Sequence, residues 1–581
     1  MKRFLSFLLA VSICLSVSAC GGTEKKPADT NTPSASTNPV DKDSGSEKSP
    51  ANTDEVPDEK QYYNTSISSD PTSMDVSLLS DSIASGILYD TMEGLIRLEG
   101  LDNGECVVAP GEAESWEVNE EGTVWTFHLR EGLKWEDGVP GTANDYVYSI
   151  RRSSAPEIGC PNSFFLQPIK NFKEVNNGEL PLEELGVKAL DDRTLEITLS
   201  EPTPAFLQMI TCHVYYPQRE DKVKEWGEKY GSEAQYIISN GPFKMTEWVH
   251  NNSLTFVKND QYWDAESVKL EKINRFIMGE QATSLNAFQS GELDVVGTSS
   301  LEWLDRFKNS GAVYAPSMSR TLSVMPFNTT DPLFSNINVR KAFGLVLDRE
   351  ELSDMCFNGL RLPCYGMIVP ALTVGEKSYR DLAGEPVLEM QEELKAQGIT
   401  PKDLLIQGME ELGMGSDPST ITVTLSLGST SDWFKTLGEY VQQIYETELG
   451  VHCVVDQMEW AIFAAKLQKK DYQLGFMSWN AYYNDPYDVL SIFDSSFDGL
   501  NIGWSSEEYD RILKESAREM NEEKRTELYK QMENIVLQEN FVASPIAYTI
   551  SQTFYQPYVR GYDSSAFGMT ACKYLYTVGR P

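Results

Sequence analysis

The chain has 581 residues and a mass of 65.2 kDa, which is beyond the size of a single hydrophobic core and indicates about two to four domains. With 41% hydrophobic and 23% charged residues, the composition excludes a wholly disordered protein. The 87 acidic residues outnumber the 49 basic ones, and the net charge of -38 argues against nucleic acid or any other partner held by phosphate contacts.

The first twenty residues have the pattern of an export signal. A basic start, Met1-Lys2-Arg3, precedes the uncharged stretch 4–19, which is too short for a comfortable membrane span. The small residues Ser18 and Ala19 then precede Cys20, an arrangement that resembles the lipobox of bacterial lipoproteins. The resemblance implies that 1–19 is a signal peptide and that Cys20 carries two acyl chains, which suffice for stable anchoring. The alternative is an ordinary signal peptide with a chance cysteine.

Residues 20–60 are predicted to form a disordered, lipid-anchored linker. The stretch is rich in Thr, Ser, Pro, Asn, Asp and Lys and has almost no large apolar side chain. A random coil of this length reaches roughly 35 Å, so it would hold a folded body clear of lipid headgroups. A long tether favours a Gram-positive cell surface.

The folded body is predicted to be α/β. The run that begins at Val124 and the stretch 193–199 alternate as half-buried strands do. Between them, Thr142 is expected to cap the N-terminus of an amphipathic helix.

The C-terminal half predicts a parallel sheet. Apolar periodicity gives the order β-α-β-α-β, and parallel strands joined by helices form such sheets. Ligands bind beyond the carboxyl ends of these strands, so the segment after Phe476 is a candidate site. The predicted elements are a strand at 421–427, a helix at 432–449 ended by Gly450, a strand at 451–455, a helix at 460–467 and an apolar run at 472–479.

The segment 477–487 is the most distinctive candidate for ligand binding. It holds four aromatic residues, two amides and the carboxylate of Asp485. Aromatic faces supply contact area at low entropic cost, and an extended backbone can pair with a bound chain. The same composition also fits core aromatics followed by an Asp485-Pro486 turn, and the residues alone leave both interpretations open.

Motifs for catalysis, metals and cofactors are missing from the sequence. The four histidines have no metal-binding spacing, and there is no nucleophile elbow, phosphate loop or dinucleotide fingerprint. We therefore expect no enzyme, metal or cofactor, although a glycosidase needs only two carboxylates. Seven cysteines follow Cys20, an odd number without a C-x-x-C pair, which favours buried thiols; a Cys356–Cys364 disulfide is the alternative.

A series of short stretches, in order along 61–581, resembles the family 5 solute-binding proteins of ABC importers, most closely the oligopeptide-binding type. Each stretch is weakly specific, but their number and order make coincidence improbable. The stretches are 92–95 (MEGL), 113–117 (AESWE), 125–135 (WTFHLREGLKW), 186–192 (GVKALDD), 239–243 (SNGPF), 258–263 (KNDQYW), 291–294 (GELD), 327–328 (FN), 339–343 (VRKAF) and 348–349 (DR).

The resemblance implies an α/β fold of the two-lobed, type II periplasmic-binding-protein-like kind, which closes on its ligand like a flytrap. It also implies an extra N-terminal subdomain on the first lobe. The implied domains are 61–94, 204–312 and the C-terminal return 549–581 for lobe I, 95–203 for the extra subdomain and 313–548 for lobe II.

The implied function is a lipid-anchored receptor on the extracytoplasmic face of the cell membrane. It would capture oligopeptides between the lobes and deliver them to the permease subunits of an ABC importer, as a monomer that touches the membrane only through its lipid. The alternatives are the same fold binding an oligosaccharide or another solute, a sensor of peptide signals and, further off, a secreted hydrolase.

In the family, a strand corresponding to 478–481 bonds to the ligand backbone, with the region of Ser82 approaching from the first lobe. The aspartate that pairs with the ligand's α-ammonium in peptide-binding relatives corresponds to Tyr482, and a basic residue corresponds to Phe476. Asp485 is one possible substitute, but the ammonium partner stays unassigned, which favours blocked peptides or another solute. The candidate binding residues are Ser82, Asn328, Ser478, Trp479, Asn480, Ala481, Tyr482, Asn484 and Asp485.

Overall fold

The computed structural model describes residues 56–100, 106–562, 565–567 and 572–581. The predicted signal peptide, the lipid site at Cys20 and nearly all of the predicted linker lie outside the described residues. None of the described helices is long and apolar enough to cross a membrane.

The first sheet is assembled from distant parts of the chain. Its first two strands are parallel and the other two neighbours are antiparallel. Phe243, Phe256 and Ile273 from three of its strands are fully buried. Helix Ser82–Thr91 packs on this sheet, and the Asp81 carboxylate accepts the Ala84 amide at 2.7 Å as its N-cap. The strand order is Tyr62–Ile67, Lys272–Ile277, Ser253–Lys258 and Phe243–Val249.

The second sheet is wholly antiparallel and confirms two predicted strands. Helix Ala143–Ser154 packs against it and begins after Thr142, as predicted. The Asp145 carboxylate accepts the Thr142 amide at 2.9 Å, which satisfies a backbone donor at the helix start. The strand order is Ala113–Val118, Val124–Leu129, Thr194–Thr198 and Val187–Asp191.

The third sheet contains the predicted β-α-β-α-β unit. Strand Thr422–Leu427 pairs in parallel with both of its neighbours, as the crossover helices require. Helix Asp432–Ile444 continues as a π-helical turn, Tyr445–Leu449, and Gly450 ends it at a φ of 78°. The strand order is Val295–Gly297, Ala543–Tyr555, Val313–Pro326, Leu474–Asn480, Thr422–Leu427 and His452–Gln457, with Arg361–Pro363 also paired to Ala543–Tyr555.

Two long strands of the third sheet connect the core of that sheet with a smaller, separate core. Val313–Pro326 and Ala543–Tyr555 pair antiparallel from Val313 opposite Tyr555 to Pro326 opposite Ala543, with register shifts on the way. One end packs with the small core around helices Gln281–Gln289 and Leu301–Lys308, and the other enters the core of the third sheet.

Shorter elements complete the fold. The remaining helices are Phe172–Asn176, Phe206–Met209, Glu220–Trp226, Ile337–Leu345, Arg349–Phe357, Tyr379–Ala383, Pro386–Gln397, Pro401–Glu411, Trp460–Gln468, Pro486–Leu490, Glu507–Ser516 and Glu522–Asn534. The remaining strands are Ile96–Gly100, Cys106–Pro110, Thr373–Val374, Lys377–Ser378, Val559–Arg560 and Tyr576–Thr577.

The buried apolar side chains form separate cores. One core belongs to the second sheet, another to the first, and the largest lies around the third. Tyr483 departs from this division because it follows a strand of the third sheet but is buried in the core of the second. The predicted domain boundaries stay predictions.

Cys356 and Cys364 are the one pair for which the sequence left a disulfide as the alternative to buried thiols. Cys356 and Cys364 are both buried as free thiols, which confirms buried thiols rather than a disulfide at this place. Burial raises the pKa of each thiol to about 12, so both stay protonated and unreactive at neutral pH.

Candidate functional site

A cavity of about 820 Å³ lies between the region of the second sheet and the segment that follows strand Leu474–Asn480. The first side contributes Phe164, Phe165, Gln167, Pro168, the stretch 200–205 and Met209. The other side contributes Trp479, Tyr482, Tyr483, Tyr487, Asp488, Ser491, Ile492, Asp494, Ser496, Phe497, the pair 516–517 and Tyr529. Its volume is in the range of pockets that hold small-molecule ligands.

The strand Leu474–Asn480 reaches this cavity with one backbone edge open. On one side its end pairs with strand Val313–Pro326, from Val324 opposite Met477 to Thr321 opposite Asn480. On the other side the pairing with Thr422–Leu427 stops at Phe476. No described strand pairs with 478–480 on that second edge, so backbone donors and acceptors there are available to an added strand.

The side chains of this open segment differ in exposure. Ser478 and Asn480 are exposed, Trp479 is half-buried and Ala481 is buried. The Ala481 amide donates to the Arg320 carbonyl at 3.0 Å, which fixes the end of the strand. The indole nitrogen of Trp479 is buried and has no hydrogen-bond partner in the described part of the chain, so it can donate to a ligand carbonyl.

An aromatic cluster connects the two walls of the cavity. The Tyr482 ring meets Phe164 and Phe165 edge-on, with centroids 5.9 and 5.7 Å apart, and lies 6.5 Å from Trp479. Tyr482 stays 47% exposed, whereas its neighbour Tyr483 is buried in the core of the opposite wall. Tyr482 and Tyr483 therefore hold the walls together in this conformation.

Asn484 and Asp485 fasten the loop from within. The side-chain oxygen Oδ1 of Asn484 accepts the Thr373 backbone amide at 2.9 Å. The Asp485 carboxylate caps helix Pro486–Leu490 by accepting the Tyr487 amide at 2.8 Å, and it also accepts the Tyr529 hydroxyl at 2.7 Å. Both side chains are buried and neither lines the cavity, and burial raises the pKa of Asp485.

Asn328 and Ser82 also lie away from the cavity lining. The Asn328 amide donates to the Lys470 and Tyr472 carbonyls at 2.9 and 2.7 Å, which secures the turn before strand Leu474–Asn480. Ser82 is exposed as the first residue of helix Ser82–Thr91. Of the predicted side chains, the structure therefore brings Trp479 and Tyr482 together in the cavity wall.

Asp488 is a cavity residue that sequence reasoning missed. It lies in helix Pro486–Leu490, is 6% exposed, and accepts the Tyr482 amide at 2.8 Å. Burial, with a smaller contribution from the neighbouring charge of Asp485, raises its pKa to about 7. In the sequence it resembles any acidic residue in the first turn of a helix.

Arg361 is a half-buried cation near the open segment. Its guanidinium lies 4.6 Å from the Phe357 ring centroid and 4.9 Å from that of Trp433, and donates to the Ser323 hydroxyl at 2.6 Å. The Ser323 hydroxyl is 3.5 Å from that of Ser478. Burial lowers the pKa of Arg361 to about 10. Among the described residues, no carboxylate forms a salt bridge with it.

Within the described ranges, no group of three or more His, Cys, Asp or Glu side chains is placed to hold a metal ion.

Comparison with known proteins identifies the family. The profile described as bacterial extracellular solute-binding proteins, family 5, matches residues 107–501. The oligopeptide-binding protein OppA of Bacillus subtilis is 32% identical over 498 residues, which cover 84% of this chain and 88% of that protein. This chain belongs to the family 5 extracellular solute-binding proteins.

Solved structures give the same result for the fold. The substrate-binding domain of an oligopeptide ABC transporter from Bacillus anthracis superposes with a TM-score of 0.70 and 30% identity, covering 90% of this chain and 99% of that one. Listeria monocytogenes OppA bound to peptide gives 0.69 and 27%, covering 90% and 100%. The α/β, two-lobed flytrap fold predicted from the sequence is confirmed. The cavity lies between the region of the second sheet and the segment that follows strand Leu474–Asn480. The family consists of solute-binding proteins rather than enzymes.

Proposed function

We propose that this protein captures oligopeptides in the cavity between its lobes, by adding the peptide as a strand to the open edge at 478–480. The observation that carries the proposal is that backbone pairing ends at Phe476 on one side while the strand continues to Asn480. Main-chain pairing of this kind binds peptides of many sequences, because it uses groups that all peptides share.

The cavity supplies the remaining contacts. Trp479 and Tyr482 offer aromatic surface beside the edge, and such surface binds varied side chains at low entropic cost. The cavity of about 820 Å³ leaves room for ligand side chains together with water, which adapts to different residues. Support also comes from the relatives, among them a Listeria protein solved with a bound peptide.

The proposal extends to the place of action. The protein would be exported and anchored through diacylated Cys20, act as a monomer on the extracytoplasmic face, and pass its ligand to the permease of an ABC importer. Replacement of Cys20 by alanine is expected to release the protein from the membrane fraction into the medium. Retention of Cys20→Ala in the membrane fraction would contradict the lipid anchor.

The experiment that tests capture is native mass spectrometry of the full chain, followed by release and identification of bound ligands. Binding clefts that close around ligands retain them through purification when the off-rate is slow. We expect a ladder of short peptides. A cleft that carries no peptide, in a protein whose melting temperature no peptide library raises, would indicate another solute.

A further inference from the structure

A second cavity, of about 680 Å³, lies along helix Ala143–Ser154, and we call it the helix groove. Helix Glu220–Trp226 and the stretch 227–230 also contribute to its walls. No residue lines both this groove and the cleft cavity. The residues that helix Ala143–Ser154 contributes recur at helical spacing and therefore share one face. They are Asn144, Val147, Tyr148, Arg151 and Arg152.

Five large aliphatic side chains line the helix groove. Val147 is buried, Ile158, Leu182 and Val223 are half-buried, and Leu78 is 44% exposed. Removing apolar side chains from water is favourable. The groove therefore gains by taking up apolar side chains of a partner.

The charges that the groove leaves uncancelled are mostly negative. Asp75 forms a bidentate pair with Arg152, with N–O distances of 2.6 and 2.7 Å. Glu220 pairs with Lys224 at 2.7 Å. The other lining carboxylates are exposed, and no basic side chain of the described residues forms a salt bridge with them. They are Glu157, Glu183 and Glu228. Such a rim attracts a basic partner and repels an acidic one.

Arg151 adds a donor that the fold leaves unused. Its Nη2 donates to the backbone carbonyls of Glu183 and Val187 at 3.3 and 3.4 Å. Its Nε is buried and has no acceptor among the described residues. A buried donor without an acceptor is rare and costly. Because Arg151 lines the groove, a carbonyl oxygen of a bound chain can supply the acceptor.

We propose that the helix groove docks a basic, extended segment of a protein partner. Such a segment offers apolar side chains to the aliphatic lining, cationic side chains to the three glutamates and backbone carbonyls to Arg151. An inorganic cation or a neutral apolar molecule does not offer all three. The stretch 144–155 spans about 16 Å at the helical rise, a length that about five extended residues cover. This docking site goes beyond the proposed function, because it lies apart from the cleft cavity.

The test is photo-crosslinking of the full chain with the pentapeptide acetyl-Lys-Leu-Lys-Leu-Lys-amide, in which photoleucine replaces one leucine. In an extended chain the leucines and the lysines face opposite sides, as the groove requires. We expect mass spectrometry to locate crosslinks at 144–158 and 220–230, with a yield that falls as salt screens the charges. The charge-reversed peptide acetyl-Glu-Leu-Glu-Leu-Glu-amide is expected to give none there.

A triple variant removes the unpaired charges of the rim. Together, Glu157→Gln, Glu183→Gln and Glu228→Gln should lower the crosslink yield about fivefold or more. The matched control replaces three exposed glutamates outside both cavities and should keep the yield, with thermal unfolding as the check on folding. Its substitutions are Glu120→Gln, Glu266→Gln and Glu392→Gln.

Leu78→Ser tests the apolar part of the groove. It keeps every charge, removes an exposed aliphatic contact and should also lower the yield. A loss in the glutamate variant alone would indicate unspecific charge attraction and overturn docking. Equal yields in the glutamate variant and its control, or a preference for the acidic peptide, would also overturn it. Crosslinks confined to the cleft cavity would support peptide capture and overturn the docking site.

Discussion

The two halves of strand Leu474–Asn480 have different neighbours. The first half, 474–476, pairs in parallel with strand Thr422–Leu427, and Leu474 is completely buried and also bridges to Phe327 on its other edge. The second half, 478–480, pairs on one edge only, and its side chains point partly to solvent. One strand thus belongs first to the core and then to the cleft. The open edge therefore begins where the pairing with the parallel neighbour ends.

The largest expected effect is a loss of stability on substitution in the first half of the strand, 474–476. Leu474→Ala removes a fully buried side chain and should lower the free energy of unfolding by about 2–5 kcal/mol, measured by urea titration. Asn480→Ala, on the exposed half of the same strand, is the control and should change stability little. Loss of peptide affinity in folded Leu474→Ala without loss of stability would contradict the division between the halves.

The next-largest expected effect is a loss of peptide affinity on substitution in the second half of the strand, 478–480. Trp479→Ala removes an aromatic contact of the cavity wall and should weaken peptide binding by about 2 kcal/mol, or roughly thirtyfold. Calorimetry on the purified protein measures it, with thermal unfolding as the check on folding. Unchanged peptide affinity in Trp479→Ala would show that Trp479 does not contact the ligand.

The charge of Asp488 should make the empty protein less stable as the pH rises. Its folded pKa of about 7 lies above the usual value of 3.8, so the folded state binds the extra proton between these values. Stability from this group is therefore lost as pH rises, by at most about 1.4 kcal/mol per unit.

Urea titrations between pH 5 and 8 measure this slope, which Asp488→Asn should reduce. An identical slope in both proteins would assign the dependence to other groups. The groups that face Asp488 are Asp485, Arg320, Cys212, Tyr482 and Tyr483.

The smallest effect is expected at the contact between the walls. Tyr482→Ala removes the edge-on contacts with Phe164 and Phe165 and should alter ligand affinity while changing the free energy of unfolding by no more than about 1–2 kcal/mol. Tyr482→Phe keeps the ring and serves as control. Severe unfolding of Tyr482→Ala, with unchanged binding in the folded fraction, would place the ring in the core.

The sequence predicted the elements of the third sheet because each carries its own apolar period. Helix 432–449 with Gly450, for instance, needs only local information. The cavity could not be predicted from such local patterns. Phe164 and Phe165 meet Tyr482 from more than three hundred positions away, which periodicity does not encode.

The polar residues show the same limit. Asn484 and Asp485 stand beside the predicted binding strand, yet their side chains bond to Thr373, Tyr487 and Tyr529. Whether an amide or carboxylate serves the fold or a ligand depends on partners that only the tertiary structure brings near.

The most direct test of the open edge is an N-methyl scan of a bound peptide, measured by titration calorimetry. Methylation removes one backbone donor at a time and leaves the side chains unchanged. If the peptide adds as a strand at 478–480, methylation at alternate positions should abolish binding, since only alternate amides face the edge. Full affinity for every methylated peptide would contradict backbone capture.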